Sequence, residues 1–178
     1  LVNPIEDNGK FNFVFAGNMG KAQDLIVFLE AAKVISQKNS TIQFNLIGDG
    51  IELGRLKEYV NLNNINNVSF IPRLSMDKVG TLLSSSDVLV VHLKPDPLFS
   101  ITIPSKIQAY LSLGKPVLSN VKGDASDIIK SSGAGIIFEP GSVKAFVEAI
   151  EEFYRMDKDT LLQMGKKWEE YYYKNMSL

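Results

Sequence analysis

Residues 98–120 read Leu-Phe-Ser-Ile-Thr-Ile-Pro-Ser-Lys-Ile-Gln-Ala-Tyr-Leu-Ser-Leu-Gly-Lys-Pro-Val-Leu-Ser-Asn. The middle of the stretch is a short helix with both ends marked. Thr102 suits the N-cap, and Pro104 suits the first turn, where a missing N–H loses no intrahelical partner. Gly114 can take the left-handed conformation that closes a helix, and Pro116 prevents its return. Pro116–Asn120 then reads as a buried strand. Around the helix start lie Ser100, Thr102, Ser105 and Lys106. Free N–H groups, hydroxyls and a lysine together suit a phosphate. The plainer alternative is an ordinary capped helix between two strands, and local chemistry alone favours it.

Outward from this stretch the chain repeats one pattern. Residues 1–10 are polar, with Pro4 and Gly9, and read as a linker from a preceding domain, leaving residues 11–178 as one domain with C-terminal helices. Phe11–Ala16 is an apolar and aromatic run of strand length, and Ile42–Ile47, Val68–Ile71, Val88–Val91, Pro116–Asn120 and Gly135–Phe138 read as further strands. Between them fall helical patterns, the clearest with apolar residues at 25, 28, 29, 32 and 35. Two helices, from Ser142 and Lys158, close the chain. Strand then helix, six times, demands an α/β fold: a doubly wound, six-stranded parallel sheet with right-handed crossovers. Such sheets bind ligands outside the carboxyl ends of their strands. The loops at 17–21, 48–50, 72–74, 92–103 and 120–124 gather there.

Composition narrows the function classes. A formal net charge of −1 gives no electrostatic case for nucleic acid as a partner. The absence of cysteine excludes disulfides, thiolate metal sites and a cysteine nucleophile, and fits a cytosolic setting. No apolar run approaches the ~20 residues of a membrane span.

Several loops carry candidate chemistry. Gly17-Asn18-Met19-Gly20-Lys21 can wrap a diphosphate, its glycines allowing close backbone approach and Lys21 adding charge. It matches neither the G-x-G-x-x-G fingerprint nor the G-x-x-x-x-G-K-[ST] loop. Gly48-Asp49-Gly50 ends the second strand. A nicotinamide-binding domain wants an acid about 20 residues after its glycine motif, and Asp49 comes later, which argues against an NAD enzyme. His92 is the sole histidine. At the ligand edge it can donate to a phosphate or sugar, but alone it builds neither a metal site nor a Ser-His-Asp triad, and a structural role is the better reading. Lys94, Asp96 and Ser100 share its loop and read as solvated. Trp168 and the tyrosines at 171–173 read as a buried contact of the last helix rather than a base-stacking platform.

Taken together, the chain resembles the C-terminal, donor-binding domain of a GT-B glycosyltransferase of the family-4 (glycosyl transferases group 1) type. The resemblance rests on Phe15-Ala16-Gly17-Asn18-Met19-Gly20, Ile47-Gly48-Asp49-Gly50, Val68-Ser69-Phe70-Ile71-Pro72, Ser86-Asp87-Val88, Pro104-Ser105-Lys106-Ile107, Leu113-Gly114-Lys115-Pro116-Val117 and Gly133-Ala134-Gly135. The run Phe99–Gln108 is similar to a subgroup building bacterial capsule or lipopolysaccharide repeats, including fucosamine transferases.

The resemblance implies a nucleotide-sugar donor, usually a UDP-sugar, transfer with retention, and no metal or other cofactor. It implies a base over Gly48, Asp49, Pro72, Arg73 and Leu74. It implies a diphosphate at the helix start, near Ser100, Thr102, Ser105 and Lys106, with help from Gly17, Asn18 and Lys21. Lys106 and Lys21 are then the leaving-group stabilisers, and the remaining catalytic groups lie in another domain. Many members carry two glutamates whose places here are Ile101 and Ala109, so Gln108 is the expected substitute at the ribose. Asn18 stands where an arginine is frequent. The implied acceptor is a saccharide or polyprenyl-linked sugar, held by an N-terminal domain. The implied location is the cytoplasm, at the inner face of the membrane. Two alternatives remain: a nucleotide-sugar epimerase, disfavoured by the lack of acids in residues 98–110, and a non-enzymatic interaction domain.

Overall fold

The computed structural model describes residues 3–95 and 109–175 of the chain. Its elements are β1 (Phe11–Asn18), α1 (Leu25–Ser36), β2 (Ile42–Asp49), α2 (Leu53–Leu62), β3 (Val68–Ile71), α3 (Met76–Ser84), β4 (Val88–Val91), β5 (Val117–Ser119), α4 (Asp124–Ser132), β6 (Gly135–Ile137), α5 (Val143–Arg155) and α6 (Lys158–Asn175). A 3-10 turn, Lys21–Gln23, joins β1 to α1. The strands form one sheet in the order β3-β2-β1-β4-β5-β6, every pair parallel. This is the doubly wound Rossmann-like sheet the sequence pattern predicts. The order reverses between β1 and β4, and the carboxyl edge near such a reversal is where doubly wound sheets bind ligands.

Strand periodicity builds a core on each face. Phe13 and Phe15 of β1, Phe44 and Leu46 of β2, Val88 and Val90 of β4 and Leu118 of β5 meet α1 and α5. Their alternate neighbours Val14, Ala16, Ile47, Leu89, Val91 and Val117 meet residues of α3, α4 and α6. Both faces are therefore largely apolar, as a parallel sheet covered by helices on both sides requires. Residues 25, 28, 29, 32 and 35 of α1 are all buried, as their spacing predicts. Phe28 meets Phe44 and Phe146 edge-on, with centroids 5.6 and 5.3 Å away. Each fully buried aromatic side chain stabilises the fold by about 1.5–3 kcal/mol.

The segment read as a linker is docked instead. Ile5 is fully buried. Asn3 Nδ2 donates to Ser85 Oγ at 2.8 Å, and Asn3 Oδ1 accepts from the Ile5 and Glu6 N–H groups. A polar composition concealed the one apolar anchor. At the other end, Trp168 is buried and stacks on Tyr171, so α6 packs on its own domain. Gly165 makes this approach possible: a Cβ there would lie 1.8 Å from the Gly114 carbonyl oxygen. Of the helix expected near residues 104–114, residues 109–111 are helical and Gly114 takes φ +73°, the left-handed closure its position suggested.

Candidate functional site

The ends of β1 and β2 interlock. Met19 N donates to Asp49 O at 2.9 Å, and Glu52 N donates to Met19 O at 2.9 Å. Gly48 faces Gly17 across the ladder with φ +140°, and a Cβ on Gly48 would lie 2.0 Å from the Gly17 oxygen. A Cβ on Gly50 would lie 2.5 Å from the Met19 oxygen. The glycines of Gly48-Asp49-Gly50 thus answer first to the approach of two backbones. Asp49 is exposed, and its Oδ1 accepts from Gly50 N at 2.7 Å, which steadies the turn.

Two hollows share this edge. One of about 290 Å³ is lined by Ala16, Gly17, Asn18, Gly48, Arg73 and Tyr110, among others. The second, of about 160 Å³, adjoins it through Gly48 and Arg73 and adds Asp49, Lys57 and Pro72. The structure therefore brings Gly17, Asn18, Gly48, Asp49, Pro72, Arg73 and Leu74 into one contiguous surface. Tyr110 and Lys57 are linings that the sequence reading missed. Tyr110 sits in an apolar helical stripe that signals only core. Its hydroxyl donates to the Ala16 carbonyl at 2.6 Å, and burial holds its pKa well above the ordinary value. Lys57 is one exposed lysine on a surface helix, with nothing in the sequence to single it out.

Lys21 lies across the Asn18–Gly20 turn from these hollows. It lines a separate one of about 370 Å³ with Gly20, Asp24, Glu52, Arg55 and Lys94. Arg55 pairs there with Glu52 at 3.0 Å. Gln23 Oε1 accepts from Gly20 N at 2.9 Å and closes the turn. Asp24 follows with φ 52° and ψ 42°, a left-handed residue at the start of α1.

His92 has the structural role that the plainer reading gave it. It is fully buried, and its Nδ1 lies 2.7 Å from the Gln23 carbonyl oxygen. The ring stacks on Phe146 at 5.4 Å and also meets Phe28 and Phe138. Burial pushes its pKa down, against the opposing pull of the Gln23 carbonyl and Asp24. Ser100, Thr102, Ser105, Lys106 and Gln108 lie outside the described residues, as does Ile101; Ala109 is exposed. Among the described residues, no group of three His, Asp or Glu side chains could hold a metal ion, and no helix is long and apolar enough to cross a membrane.

Comparison with known proteins gives the chain its family. The sequence pattern of the family described as "Glycosyl transferases group 1" matches residues 3–174. The chain belongs to that family. Within the family, it is 28% identical over 163 residues to the probable glycosyltransferase WbjE of Pseudomonas aeruginosa, covering 90% of this chain and 40% of that protein. The chain thus spans less than half the length of this relative. Its fold matches S. aureus TarM, solved as a mutant with fondaparinux, alpha-GlcNAc-glycerol and UDP, at TM-score 0.78 and 17% identity, covering 95% of this chain and 33% of TarM. It also matches the C-terminal domain of LpcC, a glycosyl transferase group 1 family protein from Francisella tularensis, at TM-score 0.76 and 17% identity, covering 96% of this chain and 88% of that one. The fold is therefore the Rossmann-like domain of the GT-B architecture.

Proposed function

We propose that this chain is the C-terminal, donor-binding half of a retaining glycosyltransferase that moves a sugar from a nucleotide-sugar, a UDP-sugar in our reading, to a cell-surface polysaccharide or lipid-linked acceptor. The observation that carries the reading is the contiguous carboxyl-edge surface of Gly17, Asn18, Gly48, Asp49, Arg73 and Leu74 in a chain of this family. TarM, solved with UDP, shares the fold and supports the choice of nucleotide.

In this reading the base lies over Gly48, Asp49 and residues 72–74, and Gln108 addresses the ribose. The diphosphate is met by Ser100, Thr102, Ser105 and Lys106, with help from Gly17, Asn18 and Lys21. During transfer the bond from the anomeric carbon to the β-phosphate oxygen breaks, and a bond to the acceptor hydroxyl oxygen forms on the same face. UDP departs carrying the bonding electron pair, and the proton of the acceptor hydroxyl passes to the departing phosphate oxygen. Lys21 and Lys106 stabilise the charge that gathers on the leaving phosphate. Acceptor recognition, the rest of the catalytic machinery and any peripheral contact with the inner membrane face belong to an N-terminal domain. The subgroup we favour is that of capsule and lipopolysaccharide synthesis, with fucosamine transferases among its members.

Calorimetric titration of UDP, GDP, CMP and uridine into the chain tests the reading. We expect weak binding of UDP, tighter than that of uridine, and no turnover of a UDP-sugar by the chain alone. A chain that binds none of the four contradicts the donor role.

A further inference from the structure

Two consecutive carbonyls of the turn that carries Lys21 are captured by the segment after β4. His92 Nδ1 lies 2.7 Å from Gln23 O, and Lys94 N donates to Ala22 O at 2.7 Å. A carbonyl oxygen only accepts, so the neutral ring carries its proton on Nδ1. Nε2 is then a buried acceptor, and it has no hydrogen-bond partner. Leaving such an atom unpaired is unfavourable. A phenylalanine would fill this place beside Phe28, Phe138 and Phe146 with no unpaired ring nitrogen, but would give up the bond to Gln23 O. What the histidine adds is one N–H, aimed at the turn.

The captured turn is three residues long and, among the described residues, closed only on itself, by Gly20 N to Gln23 Oε1 and Asp24 N to Lys21 O. Asp24 beyond it is left-handed, so what fixes the turn against the sheet comes from the segment after β4. The gripping segment is fixed in its own right. Buried Asn120, after β5, accepts from Leu93 N at 2.8 Å and donates to Leu93 O at 2.7 Å. The loops after β1, β4 and β5 are thereby one hydrogen-bonded unit across the point where strand order reverses. Lys21 and Lys94 protrude from this unit into the same hollow. We propose that His92 is a positioning residue for the donor's diphosphate: its Nδ1–H grip on Gln23 holds Lys21 and Lys94 where they meet the phosphates. The proposal rests on the donor reading above.

The test uses the whole chain and two variants. His92→Phe keeps a ring among the aromatics and removes the N–H, whereas His92→Asn restores a donor near the Nδ1 position. UDP and uridine are titrated into each by calorimetry, with amide NMR spectra to verify the fold. One neutral hydrogen bond sets equilibria by roughly two- to tenfold. His92→Phe should therefore weaken UDP by about fivefold, leave uridine within about twofold, and His92→Asn should regain most of the loss. Equal weakening of both ligands, unchanged UDP affinity, or an asparagine variant no better than the phenylalanine one overturns the proposal. Should His92→Phe fail to fold, His92→Gln, whose amide reaches the Nε2 position instead, replaces it with the same expected and refuting results. Wild-type chain that binds no UDP overturns the donor reading and this proposal with it; wild-type binding with an indifferent His92→Phe overturns this proposal alone.

Discussion

Replacing Gly48 by alanine should damage the fold where β1 and β2 end. Gly48 holds φ +140°, a region that side chains with a Cβ rarely enter. Such strain amounts to about 1–3 kcal/mol. The new Cβ would also lie 2.0 Å from the Gly17 carbonyl oxygen, in a ladder where Gly17 and Gly48 are direct partners. Ordinary contact begins near 3.4 Å, so the two backbones must part by more than an ångström. Forced rearrangement of this kind costs about 1–3 kcal/mol. The two effects together predict a loss of roughly 4 kcal/mol, a large share of the ~5–15 kcal/mol that holds a domain. Gly54 is the control, because a Cβ there meets nothing within 4 Å and the residue is helical. Gly54→Ala should stabilise by about 0.5 kcal/mol through helix propensity and a less flexible unfolded chain. Urea denaturation followed by circular dichroism, with linear extrapolation, reads both variants. If Gly48→Ala loses less than about 1 kcal/mol, or behaves like Gly54→Ala, the close approach does not constrain this edge and the reasoning is wrong.

Further expectations concern charge, pH and the last helix. Burial lowers the His92 pKa below its unfolded value of about 6.5, so its contribution to stability is fully present above that pH and is lost as pH falls towards the folded value, by at most ~1.4 kcal/mol per pH unit. The urea midpoint of wild type should fall relative to that of His92→Phe from pH 7.5 through 6 to 5, and parallel profiles would refute this. Lys106→Ala, Ser105→Ala and Lys21→Ala should weaken UDP more than uridine, for the two lysines by roughly ten- to a hundredfold, since charge-assisted hydrogen bonds are worth ~1.5–3 kcal/mol. Calorimetry that finds equal losses for the two ligands would remove these residues from the phosphates. Trp168→Ala should cost about 3–5 kcal/mol by emptying a buried site; a thermal melt close to wild type would mean that α6 does not contribute to the core.

The sheet was legible because its two buried faces leave a continuous mark on the sequence. Phe13–Ala16 and Val88–Val91 are apolar on both alternations, and only a strand covered by helices on both sides needs that. The stripe at 25, 28, 29, 32 and 35 was equally plain, because helical periodicity is a local property. The loops of the candidate site were legible as loops, since glycine and proline punctuate them. Their internal order was not. Gly48-Asp49-Gly50 reads as a ligand turn, yet its glycines are demanded by the backbones of Gly17 and Met19, residues some thirty positions away. Tyr110 looks like core and is also a lining of the cleft, because one ring can fill an apolar stripe and reach the edge of the sheet. Ile5 is hidden in a polar run, and only the groove it enters marks it as an anchor. His92 carries the same lesson most plainly. Its residue type and its place after a strand favoured a structural role but offered a ligand-contacting side chain beside it. Local sequence determines the dihedral preferences and the apolar period. Which carbonyl the ring donates to, and which turn that bond holds, depends on β1 and β4 lying side by side, a contact between segments some seventy residues apart that only the folded sheet creates.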